Sequence, residues 1–189
     1  MPTVTVKILA DHRYEAPGGV ILPGISSRLK AAGLMFELDG NHFVDPSKGQ
    51  RVHEAVHYAM EDDLDLDTVA VEELGYVNAA LLAIKREGWE VLGAEYPVGN
   101  TDLGYATRID LLAMVNGKKT VCNWKTSPRP LRVYAIQSAL EALLFSPEPV
   151  QRLGVHLKAD GSYRLEYYTN RRDFDVAKAC LTVASFVKG

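Results

Sequence analysis

Asn116-Gly117 stands between two runs, Ala106 to Val115 and Lys118 to Thr126, rich in aliphatic and β-branched residues. Both central residues of a two-residue hairpin turn must accept positive φ, and Asn-Gly does so at least cost, so the stretch reads as a hairpin. With these residues at the turn, cross-strand partners have numbers that sum to 233, and Asp110 falls opposite Asn123. Paired side chains share a sheet face with Cβ atoms about 4.5–5.5 Å apart, close enough to reach a common ion. Lys125 lies two positions beyond Asn123, hence on the same face and opposite Arg108. Ile109, Leu111, Ala113, Cys122 and Trp124 make the other face, an apolar core surface. The polar face of Arg108, Asp110, Asn123 and Lys125 has two readings: a solvated sheet face, common in antiparallel sheets, or an oxygen-lined divalent-metal site with a lysine beside it.

Around this hairpin the chain alternates strands and helices. Val4, Val6 and Ile8 alternate as a strand, and Ala16-Pro17-Gly18-Gly19 turns into Val20-Ile21-Leu22. Ile25, Leu29 and Ala32 predict a short helix, residues 34–46 a loop, and Val52, Ala55, Val56, Ala59 and Met60 a helix interrupted by the acidic run from Glu61 to Asp67. Leu74 to Ile84 predicts another long helix. Strands follow at 89–98, 106–115 and 118–126, then a helix through Ile136, Leu140, Leu143 and Leu144. A hairpin across Asp160-Gly161 and a helix from Phe174 to Val187 close the chain. This order predicts one α/β domain over residues 1–189, with a central mixed sheet flanked by helices rather than a parallel nucleotide-binding sheet.

Composition narrows the class. With 47% apolar and 24% charged residues the chain reads as an ordinary soluble globule. Cys122 and Cys180 are too few for a disulfide framework, a four-cysteine zinc site or an iron–sulfur cluster. The first residues do not read as a signal peptide, and no apolar run approaches the roughly 18 residues that span a bilayer, so the expectation is a cytoplasmic protein away from membranes. The net charge of −3 hides an asymmetry: Glu61, Asp62, Asp63, Asp65, Asp67, Glu72 and Glu73 lie in one stretch without a base, and the rest carries +4. Lys118, Lys119, Lys125, Arg129 and Arg132 cluster in a stretch with no acid, a pattern suited to neutralising phosphates. Tyr134, Tyr14 and Trp124 are candidates for stacking on unpaired bases, although Trp124 lies on the core face.

Asp110 followed by Asn123-Trp124-Lys125-Thr126-Ser127 resembles the core of the PD-(D/E)XK nucleases, and in particular their RecB-like and phage-exonuclease branch. Gly49-Gln50-Arg51-Val52-His53 is similar to that branch's Gly-x-x-x-His helix, Glu95 in AEYPV to its intermediate glutamate, and Tyr134-Ala135-Ile136-Gln137 to its downstream glutamine helix. Tyr14 and the segment from Pro23 to Leu29 are similar to the opening of small phage members. The resemblance implies a restriction-endonuclease-like core and a metal-dependent exonuclease acting on single- or double-stranded DNA ends, in phage-type DNA processing or recombination. His53, Asp110, residue 123, the Trp124 carbonyl and Glu95 would hold Mg2+ or Mn2+. Lys125, Asp110, residue 123, Glu95 and Gln137 would be catalytic, and Arg108, Lys118, Lys119, Arg129, Arg132 and Tyr134 would contact DNA. A single-strand annealing or other recombination protein as partner, and an oligomer, are compatible with it.

Two positions depart from the pattern. Thr107 replaces the usual Gly, and Asn123 replaces the second acid with a neutral carbonyl, a poorer ligand for a hard cation. The intact surroundings favour an acid replaced by Asn, and imply impaired catalysis. The alternatives are a DNA-binding module of this fold without catalysis and, from His53-Glu54-Ala55-Val56-His57, an HExxH zinc metalloprotease. That motif lacks its extended third histidine, since Asp63 stands there, and would need a distant ligand such as Glu72 or Glu73.

Overall fold

A computed structural model describes residues 3–10, 13–35, 46–127 and 130–188. The elements in chain order are β1 (Val4–Thr5), β2 (Lys7–Ile8), β3 (Arg13–Ala16), β4 (Val20–Pro23), α1 (Ile25–Ala31), α2 (Pro46–Met60) and α3 (Val71–Arg86). They continue with β5 (Glu90–Asn100), β6 (Tyr105–Val115), β7 (Lys118–Lys125), α4 (Arg132–Leu143), β8 (Gln151–Leu157), β9 (Tyr163–Tyr167) and α5 (Arg172–Lys188). A six-stranded mixed sheet has the order β1-β5-β6-β7-β8-β9, antiparallel except for the parallel pair β7–β8. The α/β class with a central mixed sheet flanked by helices is as the element order predicts. The expected loop at 34–46 lies largely outside the described residues.

The Asn-Gly hairpin has the expected register. Asn116 and Gly117 take φ of 50° and 71°, and Val115↔Lys118 through Leu111↔Cys122 pair on the predicted sum. The opening strand differs from expectation: Val4–Thr5 pairs with β5, while Lys7–Ile8 crosses to a separate three-stranded sheet with β3 and β4. Val6, between them, is buried under that small sheet with Tyr14, Ala16, Leu22 and Ala106.

One face of the main sheet is covered by α1, α4 and α5, through Ile25, Leu29, Leu140, Ala177 and Cys180. The other is covered by α2 and α3, through Val52, Val56, Val77, Ala80 and Ala83 packed on Leu111, Ala113, Cys122 and Trp124. Ile109, expected on this second face, packs in the first cluster with Tyr105, Leu112 and Val121. Ile109 stays paired with Tyr96 of β5, but between it and Leu111 the pairing skips Glu95, whose left-handed backbone interrupts the regular alternation that fixes the faces.

Helix α3 carries Glu72 and Glu73 in its first turn and Lys85 and Arg86 in its last, complementing the helix dipole. Glu73 is buried and receives Arg51 of α2 at 2.6 Å, so one end of the acidic stretch ties two helices together. Gly75 lets α3 touch the β8–β9 turn, because a Cβ there would sit 1.8 Å from the Ala159 carbonyl oxygen. No helix among the described residues is long and apolar enough to cross a membrane.

Candidate active site

The site forms where β6 and β7 part, at the carboxyl end of the parallel pair β7–β8, the usual position for ligands in open α/β sheets. Asp110 and Asn123 are the next residues past the last β6–β7 pair, Leu111↔Cys122, and their side chains go to different partners, Asp110 to His53 and Asn123 to Glu141 and Gln137. Instead of a strand backbone partner, the Trp124 N–H donates to the Asp110 carboxylate at 2.9 Å. On the far side of β6, Ala94↔Leu111 and Tyr96↔Ile109 bracket Glu95, which faces Asp110 across the same row. Glu95 takes φ of 47°, a left-handed backbone that a glutamate adopts only at a cost of about 1–3 kcal/mol, and such outliers gather at functional sites.

Helix α2 supplies the histidine. Gly49 passes the end of β7, where an added Cβ would sit 3.4 Å from Thr126 Oγ1, and one turn later His53 meets both the Trp124 carbonyl (Nε2, 3.0 Å) and Asp110 (Nδ1, 3.3 Å). One ligand atom each from His53, Glu95 and Asp110 lie within 4.8 Å of one another. Two carboxylates and an imidazole beside a backbone carbonyl form a donor set that suits a hard divalent cation.

The electrostatics follow from crowding. Burial lowers the His53 pKa, but the neighbouring Asp110 carboxylate more than offsets this and the net shift is upward. Asp110 pays a desolvation penalty that the His53 charge and hydrogen bond, Lys125 and the Trp124 N–H outweigh, so its pKa falls. Glu95 is pushed up to about 7, first by burial and then by Asp110, against the pull of Arg108, with which it pairs directly. An imidazole that gives both ring protons to Asp110 and Trp124 has no lone pair to offer, so holding a cation there displaces one of these hydrogen bonds and a proton.

Asn123 and Lys125 turn to the α4 side. Lys125 is buried, with Nζ 3.1 Å from Gln137 Oε1, 3.4 Å from Asn123 Oδ1 and 4.5 Å from the Tyr134 ring centroid. Asn123 gives its amide N–H to Glu141 at 2.5 Å and receives Gln137 Nε2 at 2.8 Å on its carbonyl. Glu141, absent from the sequence-based site, is fully buried among apolar residues of α4. Burial raises its carboxyl to about 7, the Asn123 hydrogen bond pulls it down, Asp110 pushes it up, and Lys125 and Gln137 pull it down. The signal was legible: one acid in Ser138-Ala139-Leu140-Glu141-Ala142-Leu143, a helical turn beyond Gln137.

Above these residues opens a groove of about 1110 Å3. Its cationic lining is Lys48, Arg108, Lys125, Lys158 and Arg164, against Glu54, Glu95 and Asp110 among the acids. Of the residues expected to contact DNA, Arg108 and Tyr134 line this groove. Lys118 and Lys119 do not: they sit at the other end of β7, about 20 Å from Lys125 at 3.3 Å per residue, and Lys119 pairs with Glu148 at 2.8 Å. Arg132 is exposed at the start of α4 outside the groove lining, and Arg129 lies outside the described residues. Sequence proximity grouped these bases, whereas an extended strand carries its two ends apart. Lys48, Lys158 and Arg164, distant in sequence, were missed.

Trp124 is 1% exposed in the core, with only its backbone at the site. His57 faces Glu61 at 3.7 Å and joins no metal-ligand group among the described residues, while Glu73 is held by Arg51. The two histidines and the third ligand of a zinc protease are therefore not brought together. No protein-family model and no curated protein matches this chain.

Proposed function

We propose that the protein is a metal-dependent DNA exonuclease. The observation that carries this reading is the His53–Glu95–Asp110 group in the same groove as the buried Lys125. The groove is larger than the roughly 300–1,000 Å3 of a small-ligand pocket, and its charged lining has more Lys and Arg than acids, as suits an anionic polymer. Tyr14 and Tyr134 also line the groove, but both are buried and the Tyr134 ring lies against the Lys125 ammonium, so neither presents a free face for stacking. DNA ends, Mg2+ or Mn2+, a recombination partner and the cytoplasm of a bacterium or an infected cell complete the reading, on the strength of the sequence resemblance.

His53, Glu95, Asp110 and the Trp124 carbonyl would hold a divalent cation, which would supply Lewis acidity for activating water and neutralising phosphate charge. Asp110 sets the ring of His53 while holding Trp124 in place. Lys125 presents an ammonium to the negative charge that develops on the phosphoryl oxygens, in a site where burial strengthens that interaction. Arg108 pairs with Glu95 across the row and, being half exposed, reaches the groove for backbone phosphate.

The test is digestion of single- and double-stranded DNA labelled separately at each 5′ and 3′ end, with Mg2+ or Mn2+. Terminal nucleotides should be released by the native chain, lost on chelation, and lost in Asp110→Ala and Lys125→Ala. A folded native chain that leaves every substrate intact at saturating metal defeats the reading; if it still binds DNA, a binding module is the better account.

A further inference from the structure

The acid expected at position 123 has a counterpart across a hydrogen bond. Glu141 Oε2 accepts from Asn123 Nδ2 at 2.5 Å, and Oε1 accepts from Gln137 Nε2 at 3.0 Å. An amide can present either its N–H or its carbonyl, and a buried carboxylate only accepts. Glu141 thereby decides the orientation of both amides, and with both NH2 groups drawn toward it, both carbonyl oxygens face Lys125 Nζ, at 3.4 and 3.1 Å. Turned the other way, amide donors would face the ammonium, leaving a buried charge without acceptors.

We propose that Glu141 supplies the carboxylate that the sequence pattern expects at position 123, as a positioning residue that acts through Asn123 and Gln137 to hold the Lys125 ammonium at the groove. Positions 123 and 141 share one carboxylate between them. Asp at 123 would place two carboxylates at 2.5 Å in the core, where both cannot be ionised. Asn123 is thus fitted to Glu141, and restoring an acid at 123 alone does not improve the site. Exchanging the two chemistries, Asn123→Asp with Glu141→Gln, returns one carboxylate and one amide. It also leaves Gln137 Nε2 with acceptors on both sides, so its carbonyl still faces Lys125.

The inference uses the nuclease reading for one of its readouts, and the experiment separates the two. Native protein, Asn123→Asp, Glu141→Gln and the double exchange are compared at pH 8 for kcat and KM on end-labelled DNA, for Tm, and for the Lys125 15Nζ ammonium resonance, assigned by its absence in Lys125→Arg. Each single variant should lose kcat by about 100-fold, the scale of misplacing one preorganised charge, with KM changed less than about threefold. The double exchange should recover to within about tenfold of native, and the resonance should be kept in the native and double proteins and broadened in the singles. Asn123→Asp at or above native activity, Glu141→Gln at native activity, or a double variant no better than the worse single overturns the inference. If the native chain digests nothing, the nuclease reading has failed, and the Tm cycle and the resonance alone decide the positioning role: additive Tm losses, or a resonance unchanged by Glu141→Gln, end it.

Discussion

Replacing Gly75 by Ala sets two effects of opposite sign against each other. In the interior of α3 a Gly costs about 1 kcal/mol relative to Ala, so on helix propensity alone Gly75→Ala stabilises. The added Cβ, however, would lie 1.8 Å from the Ala159 oxygen, 2.5 Å from its carbonyl carbon and 3.1 Å from its Cα. All three are backbone atoms, so no rotamer relieves the clash, and ordinary contact at 3.4 Å requires α3 and the β8–β9 turn to separate by about 1.6 Å. Overpacking of this kind costs about 3 kcal/mol, so the net is a loss of about 2 kcal/mol. For a chain of this length that lowers Tm by about 4–8 °C. A calorimetric or circular-dichroism melt measures it, with Asn78→Ala, exposed on the same helix, as a control that should gain a few tenths of a kcal/mol. Because Lys158 and Ala159 line the groove, KM for DNA should rise together with the fall in Tm. A Gly75→Ala protein that melts at or above the native temperature refutes the argument that the helix–turn contact governs this position.

Saturating Mn2+ should raise Tm by several degrees, since about 100 Kd of ligand is worth about 2.7 kcal/mol, and Asp110→Asn should abolish that rise; a shift that survives the substitution would remove Asp110 from the ligand set. Burial lowers the pKa of His156, outweighing its 2.6 Å contact with Glu166, so between that lowered value and the unfolded pKa near 6.5 the unfolded chain binds more protons. The His156 contribution is therefore complete above pH 6.5 and declines as pH falls through the folded value; the native-minus-His156→Gln stability difference, measured by urea melts from pH 8 to 5, should shrink toward acid. Arg152, 3% exposed, bonds the Ala135 and Asn170 carbonyls and pairs with Asp173 at 3.0 Å, so Arg152→Ala should cost about 3–5 kcal/mol by leaving these groups buried without a donor. A loss below about 1 kcal/mol in a denaturant titration would show that water satisfies them instead.

What the sequence disclosed follows from the range of its rules. The Asn-Gly turn fixes its own register as far as Leu111↔Cys122, because a hairpin is local, but not the expected opposition of Asp110 and Asn123, which lie beyond the last pair. The row continues to Glu95 by pairing between β5 and β6, whose register shifts between Val91 and Gly93, and no local pattern announces that irregularity; Glu95 was found through family resemblance. Glu141 was missed although its chemistry was visible, since a helix pattern says that an acid is buried without saying against what. The groove's Lys48, Lys158 and Arg164 come from α2 and the β8–β9 hairpin, and their convergence is a product of tertiary packing. Val4 to Ile8 read as one strand because alternation does not tell which sheet a residue joins.

The irregularity of β5 also protects the molecule from its own kind. β1 pairs only with Val98 and Gly99, so among the described residues the outer edge of β5 from Glu90 to Pro97 has no strand beside it, and Val91 and Leu92 are exposed there. A flat edge of that length invites pairing with another chain and the growth of aggregates. The bulge at Leu92 and the left-handed turn of the backbone at Glu95 break the run of aligned N–H and carbonyl groups, so the distortion that aims a carboxylate inward denies a foreign strand its template.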